Sequence, residues 1–132
     1  MREEITNWIK QAEEEYDTSK LNLKSNKFFA AAFFSQQATE ASLKALYIYF
    51  LREKPPDTHN LINLLRALEK KVEVPVEFIN KASYLNPHFI ISRYPDAAGG
   101  TPFENYTKDI AETCVKISEE FLEWAKNILK KK

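Results

Sequence analysis

The stretch from Lys27 to Arg52, KFFAAAFFSQQATEASLKALYIYFLR, contains neither proline nor glycine. It restricts the fold more than any other feature of the chain. Ser25 and Asn26 precede it with side chains able to accept from first-turn amides. Arg52 and Lys54 set positive charge at its far end, where the helix dipole favours it, and Pro55-Pro56 forbids continuation. At about 1.5 Å per residue the predicted helix is about 39 Å long. Phe34, Ala38, Ala41, Ala45 and Ile48 form one apolar stripe, Leu43, Leu46 and Phe50 a second, and Phe29 and Phe33 a third patch. A helix apolar on several sides is enclosed by other helices. The alanines let a neighbouring backbone come close.

The polar residues of this helix are few: Gln36, Gln37, Glu40 and Lys44. Glu40 and Lys44 are spaced i, i+4 in the favourable order, and Gln36 shares their face. The strip reads either as a satisfied polar seam beside another helix or as a recognition strip in a cleft or subunit contact.

Other helices flank it. Ile5, Trp8, Ile9, Ala12, Tyr16, Ser19 and Leu23 recur at three and four, predicting a first helix over residues 2–23 with its acids on the solvent side. After the prolines, Asp57 or Thr58 can cap a third helix that His59 opens, with Leu61, Leu64, Leu65 and Leu68 on one side. Pro75 suits the start of a short fourth helix bearing Phe78, Ala82 and Leu85. Thr107 can cap a last helix carrying Ile110, Cys114, Ile117, Phe121, Trp124, Ala125 and Ile128, closed by Lys130, Lys131 and Lys132.

Residues 85–105 show neither helical nor strand period and hold Pro87, Pro95, Gly99, Gly100 and Pro102. Loops of this length inside compact domains are usually functional or disordered. Phe89, Ile90, Ile91, Tyr94, Phe103 and Tyr106 supply apolar surface to order this one. An ordered aromatic loop carrying Arg93 and Asp96 is the best candidate site. The competing reading pairs Arg93 with Asp96 in an ion pair that staples the loop.

The expected fold is therefore all-α: a helical bundle of four to five helices in one domain, residues 1–132, with one long ordered loop between the last two. Equal numbers of basic and acidic residues, 19 of each, give no global field for non-specific nucleic-acid binding. The single Cys114 cannot form an internal disulfide and falls in an apolar stripe, which argues against a secreted scaffold. The charged MREE start lacks the apolar run of a signal peptide, and no stretch is long and apolar enough to span a membrane, so a cytoplasmic location is expected. His and Cys are not spaced as metal ligands, and no phosphate loop or dinucleotide fingerprint is present, so neither metal nor cofactor is expected.

Four motifs, SQQATEASLKAL, THNL, SRYPD followed by GG, and ENYT, together resemble the HEPN domain family over nearly the whole chain and in order. The resemblance implies an up-and-down bundle, usually a homodimer, often accompanied by a minimal nucleotidyltransferase in a toxin–antitoxin-like pair. Related HEPN proteins are metal-independent ribonucleases whose signature is an arginine, four to six residues and a histidine. Arg93 matches the arginine, but no histidine follows it. His88 precedes it in reversed order.

Three functions follow. The first is a non-catalytic subunit that binds a nucleotide, RNA or a nucleotidyltransferase partner through Arg93, Tyr94, Asp96, Gln36, Gln37, Glu40, Lys44, His59 and Tyr106. The second is a ribonuclease toxin with a variant site, borrowing His88 or His59 beside Arg93. The third is a purely structural dimer.

Overall fold

The computed structural model describes residues 2–130. Met1, and the Lys131 and Lys132 expected to close the last helix, lie outside the described residues. The fold is all-α. In chain order it comprises α1 (Arg2–Lys24), α2 (Phe28–Leu51), α3 (Leu61–Leu68), α4 (Val76–Leu85), α5 (His88–Ile91), α6 (Pro95–Ala98), a 3-10 helix (Pro102–Asn105) and α7 (Lys108–Lys130). The five longer helices are those that the apolar periodicity predicts.

Helix α2 is the central element. It packs most extensively on α1, next on α7, and also meets α3, α4, α5 and the 3-10 helix. Its alanines explain the close approach. Ala41 is buried with Ala12 of α1 and Leu122 of α7, while Ala31 is buried with Ala111 and Val115 of α7. The main core joins Ala32, Leu43 and Leu46 of α2 to the four leucines of α3, to Ala82 and Leu85, and to Cys114, Ile117, Phe121 and Ala125 of α7. Each fully buried Leu or Phe contributes about 1.5–3 kcal/mol relative to exposure. Buried hydroxyls on α2 are satisfied within the helix: Ser35 donates to the Ala31 carbonyl, Thr39 to Ser35 and Ser42 to Ala38.

Two helix starts differ from expectation. Lys27 occupies the cap position of α2 with no side-chain cap bond. Asn26 instead takes a left-handed conformation, φ 61°, and ends α1, which runs on to Lys24. Its amide bonds to the Leu23 carbonyl and that of Lys27 to the Asn22 carbonyl. A residue at positive φ supplies the chain reversal and cannot also cap the next helix in extended geometry. At α3, Asn60 is the cap in place of Asp57 or Thr58, its side chain accepting from the amides of Ile62 and Asn63. Thr58 accepts from the Asn60 amide, and Asn86 at the end of α4 accepts from the Leu61 amide at 2.8 Å and donates to Asn60. Thr107 does cap α7, accepting from the Ile110 amide at 3.2 Å.

The segment between α4 and α7 is ordered as three consecutive short helices. Pro87, Pro95 and Pro102 each lie at the start of one, where proline's fixed φ suits the first turn. Gly99 ends α6 at φ 72°, a conformation that costs a side-chain-bearing residue strain. Four-residue helices are too short to display a 3.6-residue period. Ile91 packs on the main core, and Ser92, Pro102 and Tyr106 are buried, which fixes the segment against α2.

Candidate functional site

Arg93 follows α5, exposed, with its guanidinium set among three aromatic rings. Its Cζ lies 4.6 Å from the ring centre of Phe33, 4.5 Å from Phe89 and 4.8 Å from Tyr94. A planar cation is attracted to ring faces at such distances. Nε and Nη2 donate to the Phe89 carbonyl at 2.9 and 2.7 Å. That uses one edge of the planar fork. On the other edge Nη1 makes a long 3.4 Å contact to the Tyr94 hydroxyl. The Arg93–Asp96 staple does not form among the described residues. Asp96 is exposed in the first turn of α6, where its charge suits the helix start, and Arg93 is turned back onto its own helix.

A buried polar network adjoins this cage. Glu40 is 6% exposed on α2 and accepts from Lys44 Nζ at 2.9 Å. Its other oxygen meets His59 Nδ1 at 2.9 Å and Gln37 Nε2 at 3.4 Å. Gln37 also donates to Gln36 Oε1, and Gln36 Nε2 donates to the main-chain carbonyl of His59 at 2.8 Å. The strip read from sequence is therefore a connected network. Lys44 also faces the Trp8 ring of α1 at 5.3 Å, and both line a cleft of about 370 Å³ with Glu53, Lys54, Pro55 and Asp57.

Phe89 joins network to cage. The His59 ring stacks on Phe89 with centres 3.8 Å apart and planes 18° from parallel. Because one ring touches both, His59 and Arg93 cannot be further apart than those two contact distances combined. His59 is thus held at three points: its carbonyl by Gln36, Nδ1 by Glu40, and its face by Phe89. A carboxylate that also bonds Lys44 can only accept, so Nδ1 carries the proton. In the neutral ring Nε2 is then the acceptor. The His59 side chain is half exposed, 53%, so Nε2 is not sealed in the core.

The other sequence candidates lie elsewhere. His88 is half-buried, and its Nδ1 meets the Tyr106 hydroxyl at 2.5 Å. Burial lowers its pKa, and burial likewise pushes the Tyr106 phenol well above its usual range. The two rings form a pair with the Tyr84 ring of α4 beside His88. Cys114 is fully buried in the core, and burial raises its thiol to about 12, which leaves it an inert core residue. Among the described residues no group of three His, Cys, Asp or Glu side chains is placed to hold a metal ion. Reasoning from sequence missed Phe33 and Phe89 as site residues, taking them as apolar packing, and missed Asn60 and Asn86 as the clasp that fixes the chain just after His59. The only signal for Phe89 was its place four residues before Arg93.

An all-α bundle built on one enclosed helix, with a caged arginine on the segment before the last helix, defines a class of helical domain. The HEPN domain model matches residues 5–128, and the chain belongs to the HEPN domain family. It is 34% identical over 133 residues to MJ1304, a candidate toxin of Methanocaldococcus jannaschii, covering 95% of this chain and 88% of that protein. The crystal structure of TT1696 from Thermus thermophilus is similar at a TM-score of 0.86 with 29% identity, covering 93% of this chain and 96% of that one. ST0689, an archaeal HEPN homologue, is similar at 0.77 with 28% identity, covering 93% and 95%. No helix among the described residues is long and apolar enough to cross a membrane.

Proposed function

We propose that this HEPN protein, a single domain over residues 1–132, binds the phosphate of an RNA or nucleotide at Arg93, as the toxin-side member of a pair with a minimal nucleotidyltransferase. The observation that carries the reading is the cage. Contacts with the Phe33, Phe89 and Tyr94 rings and bonding to the Phe89 carbonyl hold the exposed guanidinium in place, while Nη1 makes only the long 3.4 Å contact to the Tyr94 hydroxyl. A fixed planar fork matches a phosphate with two charge-assisted hydrogen bonds, and the exposed ring of Tyr94 beside it suits a stacked base. The candidate-toxin relative and the family resemblance support the toxin side of a pair. Ile90, Tyr94 and Phe103 are exposed large apolar side chains on the same segment, which supports a homodimer through this face with two Arg93 cages brought near one another.

Fluorescence anisotropy with a labelled single-stranded RNA tests the reading. Arg93→Ala weakens binding and reduces the salt slope by the share of one or two phosphates, about 0.7 per phosphate for single strands. Arg93→Lys does not restore it, because an ammonium neither stacks nor forks. Binding unaffected by either change would refute the assignment. Absence of any binding by the wild type would leave the purely structural dimer.

A further inference from the structure

A groove of about 600 Å³ lies where the start of α1 meets the ends of α2 and α7. Its floor is apolar. Ile9 and Leu129 also pack against the main core, while Ile5 and Tyr49 belong to no core cluster of the described residues. Its rim is cationic. Arg2, Lys10, Arg52, Lys126 and Lys130 line it against one carboxylate, Glu13, which is already paired with Lys126 at 2.9 Å. The other four cations are exposed, and no described carboxylate pairs with them. The whole chain carries 19 basic and 19 acidic residues, so the excess of positive charge here is local.

Helix ends account for only part of this charge. Arg52 and Lys130 stand at C-terminal ends, where the dipole favours cations. Arg2 stands at the opposite pole of α1, where the dipole opposes it, and Lys10 lies within the helix. Arg52 also holds a left-handed backbone, φ 59°, where glycine is the residue of least strain. We propose that this groove is a docking site for an acidic amphipathic helix of a partner protein. Ile5, Ile9, Tyr49 and Leu129 receive its apolar face, and Arg2, Lys10, Arg52 and Lys130 receive its carboxylates.

The chemistry of the lining selects that occupant. Single-stranded nucleic acid needs aromatic platforms for its bases, and this floor is aliphatic except for Tyr49. A free acyl anion has one headgroup, which one or two cations satisfy, whereas four unpaired cations here are spread over three helices. A helix carrying apolar residues at i, i+3, i+4 and i+7 with acids on its flanks meets both the floor and the rim. The site is separate from the phosphate site. Phe33 of the cage and Tyr49 of the groove lie about 24 Å apart along α2, at about 1.5 Å per residue.

The test uses the full chain and a fluorescein-labelled peptide of about five helical turns, with leucines along one face and glutamates on the other. A scrambled peptide of the same composition and a peptide with lysine for glutamate are the controls. Binding is read by anisotropy, its place by amide shifts in NMR, and the fold by melting temperature. The acidic amphipathic peptide binds, its affinity falls as ionic strength rises, and the shifts gather on the start of α1 and the ends of α2 and α7. Lys10→Glu/Lys130→Glu keeps the melting temperature and weakens binding about tenfold, since each reversal exchanges an exposed attraction for a repulsion of similar size. Arg52→Gly relieves the left-handed strain, so it keeps or raises the melting temperature while weakening the peptide; an arginine that served only the fold would give the reverse. Arg93→Ala leaves peptide binding unchanged, so this inference and the phosphate reading fail separately. Equal binding of the scrambled or lysine peptide, no binding by the wild type at millimolar peptide, or an affinity untouched by both groove variants would overturn the inference. So would displacement of the peptide by single-stranded RNA or by oleate, because the groove would then take a nucleic acid or an acyl anion.

Discussion

Replacing Glu40 by Leu probes the network most directly. The side chain is 8% exposed and Leu is no smaller, so the change removes charge and acceptors without opening a large cavity. Lys44 Nζ then loses its 2.9 Å partner and keeps the face of Trp8 at 5.3 Å. His59 Nδ1 and Gln37 Nε2 lose their acceptor as well. Breaking a buried ion pair by removing one member costs about 3–5 kcal/mol, because the remaining charge is left in a poorly solvating site. An exposed i, i+4 pair is worth only about 0.3–0.5 kcal/mol. For a chain of this size 1 kcal/mol corresponds to about 3–5 °C in melting temperature, so Glu40→Leu lowers Tm by about 10–20 °C. Calorimetry and urea unfolding monitored by circular dichroism give Tm and the free energy independently. A shift below about 2 °C would refute the reasoning, since it would mean that Lys44 finds water as readily as it finds Glu40.

Two other groups give simple tests. Burial that raises the Cys114 thiol to about 12 keeps it protonated at pH 8, so it resists iodoacetamide in the native protein and reacts only on unfolding; modification at the rate of a free thiol would contradict its place in the core. His88 has its pKa lowered by burial, so the unfolded chain binds a proton that the folded chain refuses. Its contribution to stability is present above the unfolded value of about 6.5 and is lost as pH falls from there towards the lower folded value. His88→Gln therefore flattens the fall of urea-unfolding free energy below about pH 6.5, and an unchanged slope would show that His88 is not the group responsible.

The frame was legible because its signals are long and redundant. Helix α2 announces itself by an unbroken run of good helix formers ended by Pro55-Pro56, and α7 by apolar residues from Ile110 to Ile128 in strict period. The caps were less legible because the sequence around α3 offers Asp57, Thr58 and Asn60 within four residues. Local rules accept any of them, and the choice falls to Asn60 because Asn86, far along the chain, bonds to it. Asn26 was misassigned for a related reason: a residue that suits a cap also tolerates positive φ, and ending α1 took precedence. Of the site, Arg93 and the strip Gln36, Gln37, Glu40 and Lys44 could be named but not joined. The joining residue is Phe89, and nothing in its spacing separates an aromatic that fills a core from one that carries a histidine on its face and an arginine against its ring.

A buried ion network is a poor device for stability alone, since well-packed apolar residues of similar volume are often as stable or more so. What Leu and Met in place of Glu40 and Lys44 cannot do is hold an imidazole by Nδ1. The double variant Glu40→Leu/Lys44→Met separates the two roles. It leaves no unpaired cation in the core, so it recovers most of the stability that Glu40→Leu loses, to within about 1 kcal/mol of the wild type. His59 in that variant keeps its stacking on Phe89 and the Gln36 bond to its carbonyl but loses the carboxylate that sets its tautomer. In nitrogen-detected NMR of the imidazole, the wild type shows one dominant tautomer with Nδ1 protonated, and the double variant a mixture. Recovery of stability together with a mixed tautomer assigns the network to positioning His59. Recovery with an unchanged tautomer would show that the Phe89 stack alone orients the ring and that Glu40 serves only as the counter-charge of Lys44.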